Sequence, residues 1–145
     1  MIYFTFETSE NIFVELKVGK QEMKEKLKKK VLFVCTLNQM RSKTAEELYR
    51  HDERFIIKSA GVANEAAVHV DLELLIWADY VIVMEEMHLR WINRNYPIIY
   101  ADKKVISLDI PDEFFYMQPV LVKLVKQKFE EVYREEIAPE SAAGR

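Results

Sequence analysis

The sequence has one cysteine, Cys35, and only three histidines in 145 residues. A single cysteine cannot form a disulfide within the chain, so a disulfide-stabilised scaffold is excluded. The histidines, His51, His69 and His88, are scattered and lack the spacing that is typical of metal ligands. We therefore expect no metal site. We expect a reducing cytoplasm as the compartment, because a free thiol persists there.

Long apolar runs and an excess of positive charge are also missing. The longest uncharged stretches, such as residues 31–40, have about half the length of a membrane span. The first six residues lack the basic start of a secretory signal. With 21 Lys and Arg against 24 Asp and Glu, the formal net charge is −3. We therefore expect neither a membrane nor a nucleic acid as a partner.

The hydrophobic residues make up 50% of the chain, enough for the core of one domain and too many for a disordered or fibrous protein. Short apolar, β-branched segments alternate with segments whose apolar residues recur at helical spacing. The predicted strands are residues 31–34, 55–58, 80–84 and 105–108, and the predicted helices are residues 44–51, 72–78, 85–96 and 115–137. This alternation predicts an α/β fold: a four-stranded parallel sheet in the order 2-1-3-4 with helices on both faces.

The first thirty residues do not follow this alternation. Residues 2–6 and 12–18 have the composition of two strands, which predicts an N-terminal β-hairpin, and the Lys-rich residues that follow predict a linker. The sequence thus divides into an extension over residues 1–30, a main domain over residues 31–138 and a frayed tail over residues 139–145.

The segment that carries chemistry is Cys-Thr-Leu-Asn-Gln-Met-Arg-Ser, residues 35–42, between the first predicted strand and the helix after it. Backbone N–H groups converge at such a turn, and the helix dipole adds positive potential there. A cysteine sulfur in that position is stabilised as the thiolate. Arg41 can bind two oxygens of one phosphate group, and Ser42 can donate its hydroxyl to the sulfur. The segment therefore predicts a nucleophile inside a phosphate-binding loop.

A Cys-x5-Arg-Ser sequence at a strand-to-helix turn resembles the signature of the low-molecular-weight protein tyrosine phosphatases. The resemblance extends over residues 31–137, and its other matches are Asn38, Thr44-Ala45-Glu46, Ser59-Ala60-Gly61, Ala78-Asp79, Val83-Met84 and Ile110-Pro111-Asp112. Within the family, the chain is most similar to a short bacterial and archaeal branch with an Asp-Ile-Pro-Asp loop followed by Tyr-Met-x-Pro, here residues 109–112 and 116–119.

The resemblance implies a cysteine-dependent phosphomonoester hydrolase that is similar to a protein tyrosine phosphatase and needs no cofactor. Cys35 would form a phosphocysteine, Arg41 would bind the phosphate oxygens, and Asp112 would be the general acid, with Asp109 as the alternative acid. The other phosphate-binding residues would be Thr36, Leu37, Asn38, Gln39, Met40 and Ser42. The substrate would be a phosphorylated protein or a small phosphate ester, and a phosphate or sulfate ion would fit the same loop.

The chain differs from the family in several residues near this loop. Leu37 replaces the family's loop glycine, so a left-handed backbone position is expected to fall on Asn38. The segment after Gly61 lacks the family's aromatic wall, and the candidates to replace it are Phe114, Phe115 and Tyr116. Their alternative role is in the core of the last helix.

Other interpretations of the loop remain open at this point. Cys35 could be a small core residue, and Asp112 could cap the last helix. The loop could also bind a phosphorylated partner without turnover. Arsenate reduction through protein disulfides is excluded because there is no second cysteine, whereas a route through external thiols is not. The nucleotide-binding glycine motifs are absent from the sequence.

Overall fold

The central sheet has four parallel strands in the order β2-β1-β3-β4, which confirms the predicted topology. The computed structural model describes residues 8–143. The strands are β1 (Lys29–Cys35), β2 (Phe55–Gly61), β3 (Tyr80–Val83) and β4 (Lys104–Ser107). Residues 31–34 of β1 are fully buried, because this central strand is covered on both faces.

The helices cover both faces of the sheet, as predicted. They are α1 (Ser9–Leu27), α2 (Arg41–Tyr49), α3 (Leu72–Trp77), α4 (Glu86–Asn95), α5 (Pro97–Asp102), α6 (Pro119–Val132) and α7 (Ala138–Ala143), with a π-helical turn, Tyr133–Ile137, between the last two. Helices α2 and α6 pack on one face of the sheet, and helices α3, α4 and α5 pack on the other. The sequence analysis missed α5, which begins at Pro97.

The side chains of β1 alternate between the two faces, and this alternation orients Cys35. Phe33 and Cys35 belong to the core beneath α2 and α6, whereas Leu32 and Val34 belong to the core beneath α3 and α4. Phe129 of α6 lies at the centre of the first core, where its ring centroid is 5.0 Å from that of Phe33. Cys35 therefore points towards the start of α2.

The predicted N-terminal hairpin is wrong at its second strand, because residues 12–18 lie within α1. The residues expected to form the turn begin this helix instead: the Thr8 hydroxyl accepts a hydrogen bond from the Asn11 N–H at 3.3 Å, as an N-cap does. The Lys, Glu, Leu and Met residues that follow favour a helix. The first predicted strand, residues 2–6, lies outside the described residues.

The C-terminal segment also differs from the prediction of a frayed tail, because it is helical to Ala143. The Glu140 carboxylate accepts hydrogen bonds from Tyr80 and from Lys104 Nζ, the latter at 2.9 Å. These contacts attach α7 to the ends of two strands. Within residues 8–143, no helix has the length and apolar character needed to cross a bilayer.

Because Phe129 contacts three aromatic rings of the core, its truncation is expected to be strongly destabilising. Phe129→Ala should lower the free energy of unfolding by about 3 to 5 kcal/mol, through lost burial and the cavity that remains. Urea denaturation followed by circular dichroism measures this value. Val120→Ala, at an exposed position of the same helix, is the control and should change little. A loss below about 1.5 kcal/mol for Phe129→Ala would contradict this description of the core.

Candidate active site

The predicted phosphate loop lies between the end of β1 and the start of α2. Cys35 is the last residue of β1 and is only 3% exposed, and α2 begins at Arg41. The loop is therefore at the carboxyl end of the central strand, where parallel α/β sheets bind their ligands.

The loop backbone is oriented by hydrogen bonds to the segment after β2. These bonds run from Val62 N–H to Cys35 O (3.0 Å), from Ala63 N–H to Thr36 O (3.0 Å) and from Ala67 N–H to Leu37 O (3.1 Å). In a trans peptide the N–H points away from the C=O. The N–H groups of residues 36–38 are consequently directed away from that segment, an arrangement that suits an anion-binding loop.

Asn38 has a left-handed backbone, with φ of 56°, as predicted for a loop without glycine. Its buried side-chain amide donates two hydrogen bonds, to Ser42 Oγ at 2.8 Å and to Ser59 Oγ at 2.9 Å. Each serine oxygen thus accepts a hydrogen bond from Asn38 and has its own proton left to donate. The Ser59 hydroxyl donates to Glu46 Oε2 at 2.6 Å.

The Ser42 hydroxyl also contacts the cysteine. Ser42 Oγ lies 2.9 Å from Cys35 Sγ, and either atom can be the donor, because a hydroxyl oxygen that accepts from Asn38 still has a second lone pair. A thiolate carries no proton, so Ser42 would be the donor to an ionised cysteine. Cys35 thus belongs to the apolar core beneath α2 and α6 and also contacts a hydroxyl group.

Gly61, the last residue of β2, allows the loop to pack closely against the sheet. A Cβ at this position would collide with the carbonyl oxygen of Thr36 and come within 2.9 Å of the Asn38 nitrogen. Backbone atoms cannot move aside as a flexible side chain does, so glycine is required here. The sequence analysis matched Gly61 to a family turn but did not foresee this contact, which depends on the pairing of β1 with β2.

Arg41 is buried, with 1% of its surface exposed, and its guanidinium is held from one side. Nη1 donates to the Glu85 carboxylate and to the Ile110 carbonyl oxygen, the latter at 2.8 Å. The Nε and Nη2 edge has parallel N–H groups that can match two phosphate oxygens. On that edge, Nε forms an ion pair with Asp112, at 3.7 Å from Oδ1.

Cys35 and Arg41 open into a pocket of about 380 Å³. Its other lining residues are Thr36, Leu37, Gln39, Met40, Asp112, Glu113, Phe114 and Phe115. Of the two candidate acids, Asp112 lies in this pocket. Asp109 lies outside it, in a separate depression beside Glu85, and its carboxylate accepts a hydrogen bond from Ser107 Oγ at 2.7 Å.

The three candidate wall residues are placed differently from one another. Phe114 lines the pocket and also packs against the core, whereas Phe115 lines the pocket with 73% of its surface exposed. Tyr116 lies outside the pocket, and its backbone N–H contacts Met40 Sδ at 3.2 Å. The next backbone N–H, that of Met117, donates to Thr44 Oγ1 at 2.9 Å, which attaches the segment to α2.

Two residues of the site, Glu85 and His88, were missed by the sequence analysis. Glu85 binds Arg41, and His88 Nε2 lies 2.9 Å from Thr36 Oγ1. Burial and the nearby Arg41 charge lower the pKa of His88 to about 4, so the imidazole is neutral at pH 7. The signal that could have found Glu85 is its position directly after the buried segment that pairs with β1, since the carboxyl ends of neighbouring parallel strands share one edge of the sheet.

The comparisons with known proteins identify the fold. No family model matches the chain, and no curated protein matches its sequence. Solved structures do match, and the match covers nearly the whole length of each of the three structures that follow. The YwlE arginine phosphatase from Geobacillus stearothermophilus has a TM-score of 0.62 and 24% identity, and the match covers 81% of this chain and 97% of that one.

The other two structures agree with this result. Vibrio vulnificus Wzb in complex with benzylphosphonate has a TM-score of 0.61 and 19% identity over 74% of this chain and 98% of its own. SP-PTP, a low-molecular-weight protein tyrosine phosphatase from Streptococcus pyogenes, has a TM-score of 0.59 and 15% identity over 79% of this chain and 97% of its own. The protein therefore has the fold of the low-molecular-weight protein tyrosine phosphatases.

Proposed function

We propose that the protein is a phosphomonoester hydrolase of the low-molecular-weight protein tyrosine phosphatase family and acts through a phosphocysteine. The observation that carries this proposal is the set of contacts around the Cys35 sulfur. The Ser42 hydroxyl lies 2.9 Å from that sulfur and would donate to its thiolate, and the same pocket contains Arg41, whose Nε and Nη2 edge would bind phosphate oxygens. We place the enzyme in a reducing cytoplasm, where the thiol persists.

In the first step, the Cys35 thiolate attacks phosphorus and forms the S–P bond while the P–O bond of the ester breaks. The loop N–H groups and Arg41 bind the three equatorial oxygens, where charge accumulates in the transition state. The protonated Asp112 carboxyl donates its proton to the departing oxygen, so that an alcohol or phenol leaves.

In the second step, water attacks the phosphocysteine, and the S–P bond breaks. The Asp112 carboxylate accepts a proton from this water, and the sulfur leaves as a thiolate that the Ser42 hydroxyl again stabilises. The products are phosphate and the enzyme with Asp112 protonated, ready for the next cycle. No adjacent histidine is needed to activate the nucleophile.

The pocket walls favour an aromatic phosphate ester. Phe114, Phe115 and Met40 form an apolar side against which a ring can pack. A phosphotyrosine side chain fits this description, so we propose a phosphorylated protein as the substrate.

The direct test is the hydrolysis of p-nitrophenyl phosphate by the purified protein. We expect turnover by the wild type and a loss of at least about 1,000-fold in Cys35→Ser, because an alcohol in this loop is far less ionised than a thiol. Acid quenching during turnover should trap a phosphorylated protein. If the wild type binds inorganic phosphate but releases no product, the loop is a binding site without catalysis and the proposal is wrong.

Arg41→Lys tests whether the guanidinium acts through its shape. Lysine keeps the charge but cannot present two parallel N–H groups, and it loses the bonds to Glu85 and Ile110. We expect kcat/KM for p-nitrophenyl phosphate to fall by about 30-fold to 1,000-fold. Arg54→Lys, a change at an arginine outside the pocket, serves as the control. An Arg41→Lys enzyme within threefold of the wild type would show that charge alone suffices.

Asp112→Asn tests the assignment of the general acid. An alkyl phosphate has a poor leaving group that needs a proton, whereas p-nitrophenolate leaves without one. We therefore expect kcat to fall by about 100-fold or more on an alkyl phosphate and much less on p-nitrophenyl phosphate. Asp109→Asn is the matched control. Equal losses on both substrates, or the selective loss in Asp109→Asn instead, would assign the acid to another residue.

A further inference from the structure

The beginning of α4 reaches the phosphate loop at two points. Glu85, the residue before α4, binds Arg41 Nη1, and His88, in the first turn of α4, contacts the Thr36 hydroxyl. Thr36 follows the nucleophile, and Arg41 is the first residue of α2. The beginning of α4, which packs on the face of the sheet opposite to α2, therefore contacts both ends of the loop.

The hydrogen bonds of His88 define which ring nitrogen carries the proton. The Glu85 backbone N–H donates to Nδ1 at 3.0 Å, so Nδ1 is unprotonated and accepts. In a neutral imidazole the proton is then on Nε2, which donates to Thr36 Oγ1 at 2.9 Å. Both ring nitrogens of a fully buried histidine are thus paired.

Burial favours a neutral imidazole. Burial and the Arg41 guanidinium lower the pKa of His88 to about 4, and they outweigh the Glu85 and Asp112 carboxylates, which act in the opposite direction. The donor to Thr36 is therefore present over the whole pH range in which a phosphatase of this kind would be assayed. His88 itself does not line the pocket that contains Cys35, so it is not placed to exchange a proton with a substrate.

We propose that His88 is a positioning residue of the phosphate loop: its Nε2–H bond to Thr36 fixes the loop after the nucleophile, while Glu85 fixes Arg41 at the other end. The expected effect of His88 on turnover rests on the proposed function. Its expected effect on the affinity of the loop for an oxoanion does not, because that affinity depends on the geometry of the loop alone. A histidine with a purely structural role would need only the bond between Nδ1 and the Glu85 N–H, which caps α4. The second bond, across to Thr36, is what connects α4 with the site.

Two substitutions separate these two bonds. In His88→Gln, the side-chain amide nitrogen can occupy the position of Nε2 and still donate to Thr36. In His88→Asn, the shorter amide oxygen can occupy the position of Nδ1 and still accept from the Glu85 N–H, but the donor to Thr36 is gone. Thr36→Val removes the acceptor and keeps the side chain's shape. His51→Asn, at an exposed histidine, is the matched control.

The experiment measures kcat and KM for p-nitrophenyl phosphate and, independently of turnover, the Kd of orthovanadate by calorimetry, in the single variants and in the double variant Thr36→Val/His88→Asn. We expect His88→Asn and Thr36→Val each to lower kcat/KM and to weaken vanadate binding by about 3-fold to 10-fold, the usual effect of one buried hydrogen bond. The double variant should be no worse than either single variant, and His88→Gln should recover most of the loss. His51→Asn should match the wild type.

The proposal is overturned if His88→Asn binds vanadate as the wild type does, or if the losses of Thr36→Val and His88→Asn multiply in the double variant, because the two side chains would then act independently. Urea denaturation of each variant separates loop positioning from loss of folded protein, since Kd is measured on the folded fraction. If the wild type shows no turnover, the proposed function fails. The vanadate cycle still decides the role of His88.

Discussion

The two hydrogen bonds donated by the Asn38 amide are the interaction on which the rest of the site depends. They join the loop to α2 through Ser42 and to β2 through Ser59, so three separate elements are fixed by one buried side chain. Because both serine oxygens accept from Asn38, the Ser42 proton remains available to the Cys35 sulfur, 2.9 Å away. Rotation of the amide would place its oxygen beside Ser42, where it would compete with the sulfur for that proton.

The fold was largely predictable because its signals are local. Each strand is a short apolar run, each long helix has its own periodicity, and the handedness of parallel connections then leaves few sheet orders. The prediction for the N-terminal segment failed because its local composition did not determine its structure. Its β-branched residues are typical of strands, but the residues that decide its structure are the Thr8 cap and the helix-forming residues towards Leu27. A composition of this kind does not specify a strand without a neighbouring strand to pair with.

Apart from Asp112, Phe114 and Phe115, which the family resemblance indicated and which line the pocket, the site was predictable only where its residues are close in sequence. Cys35, Asn38, Arg41 and Ser42 come from one segment, and the left-handed backbone at Asn38 followed from the absence of a loop glycine. Glu85 and His88 lie more than forty positions away and reach the loop through the pairing of β1 with β3. Gly61 reaches it through the pairing of β1 with β2. Such contacts depend on strand register, which no local pattern states.

The way Arg41 is held has an entropic consequence for ligand binding. A free arginine side chain has about 2 kcal/mol of rotamer entropy to lose when it is ordered by a ligand. In this protein the ordering has taken place during folding, because Glu85 and the Ile110 carbonyl oxygen already bind Nη1 and the side chain is buried. The free energy of binding an anion is then not reduced by that loss of entropy. A small, strongly hydrated ligand such as a single phosphoryl group makes few contacts, so its affinity depends strongly on a binding group that is immobile before the ligand arrives.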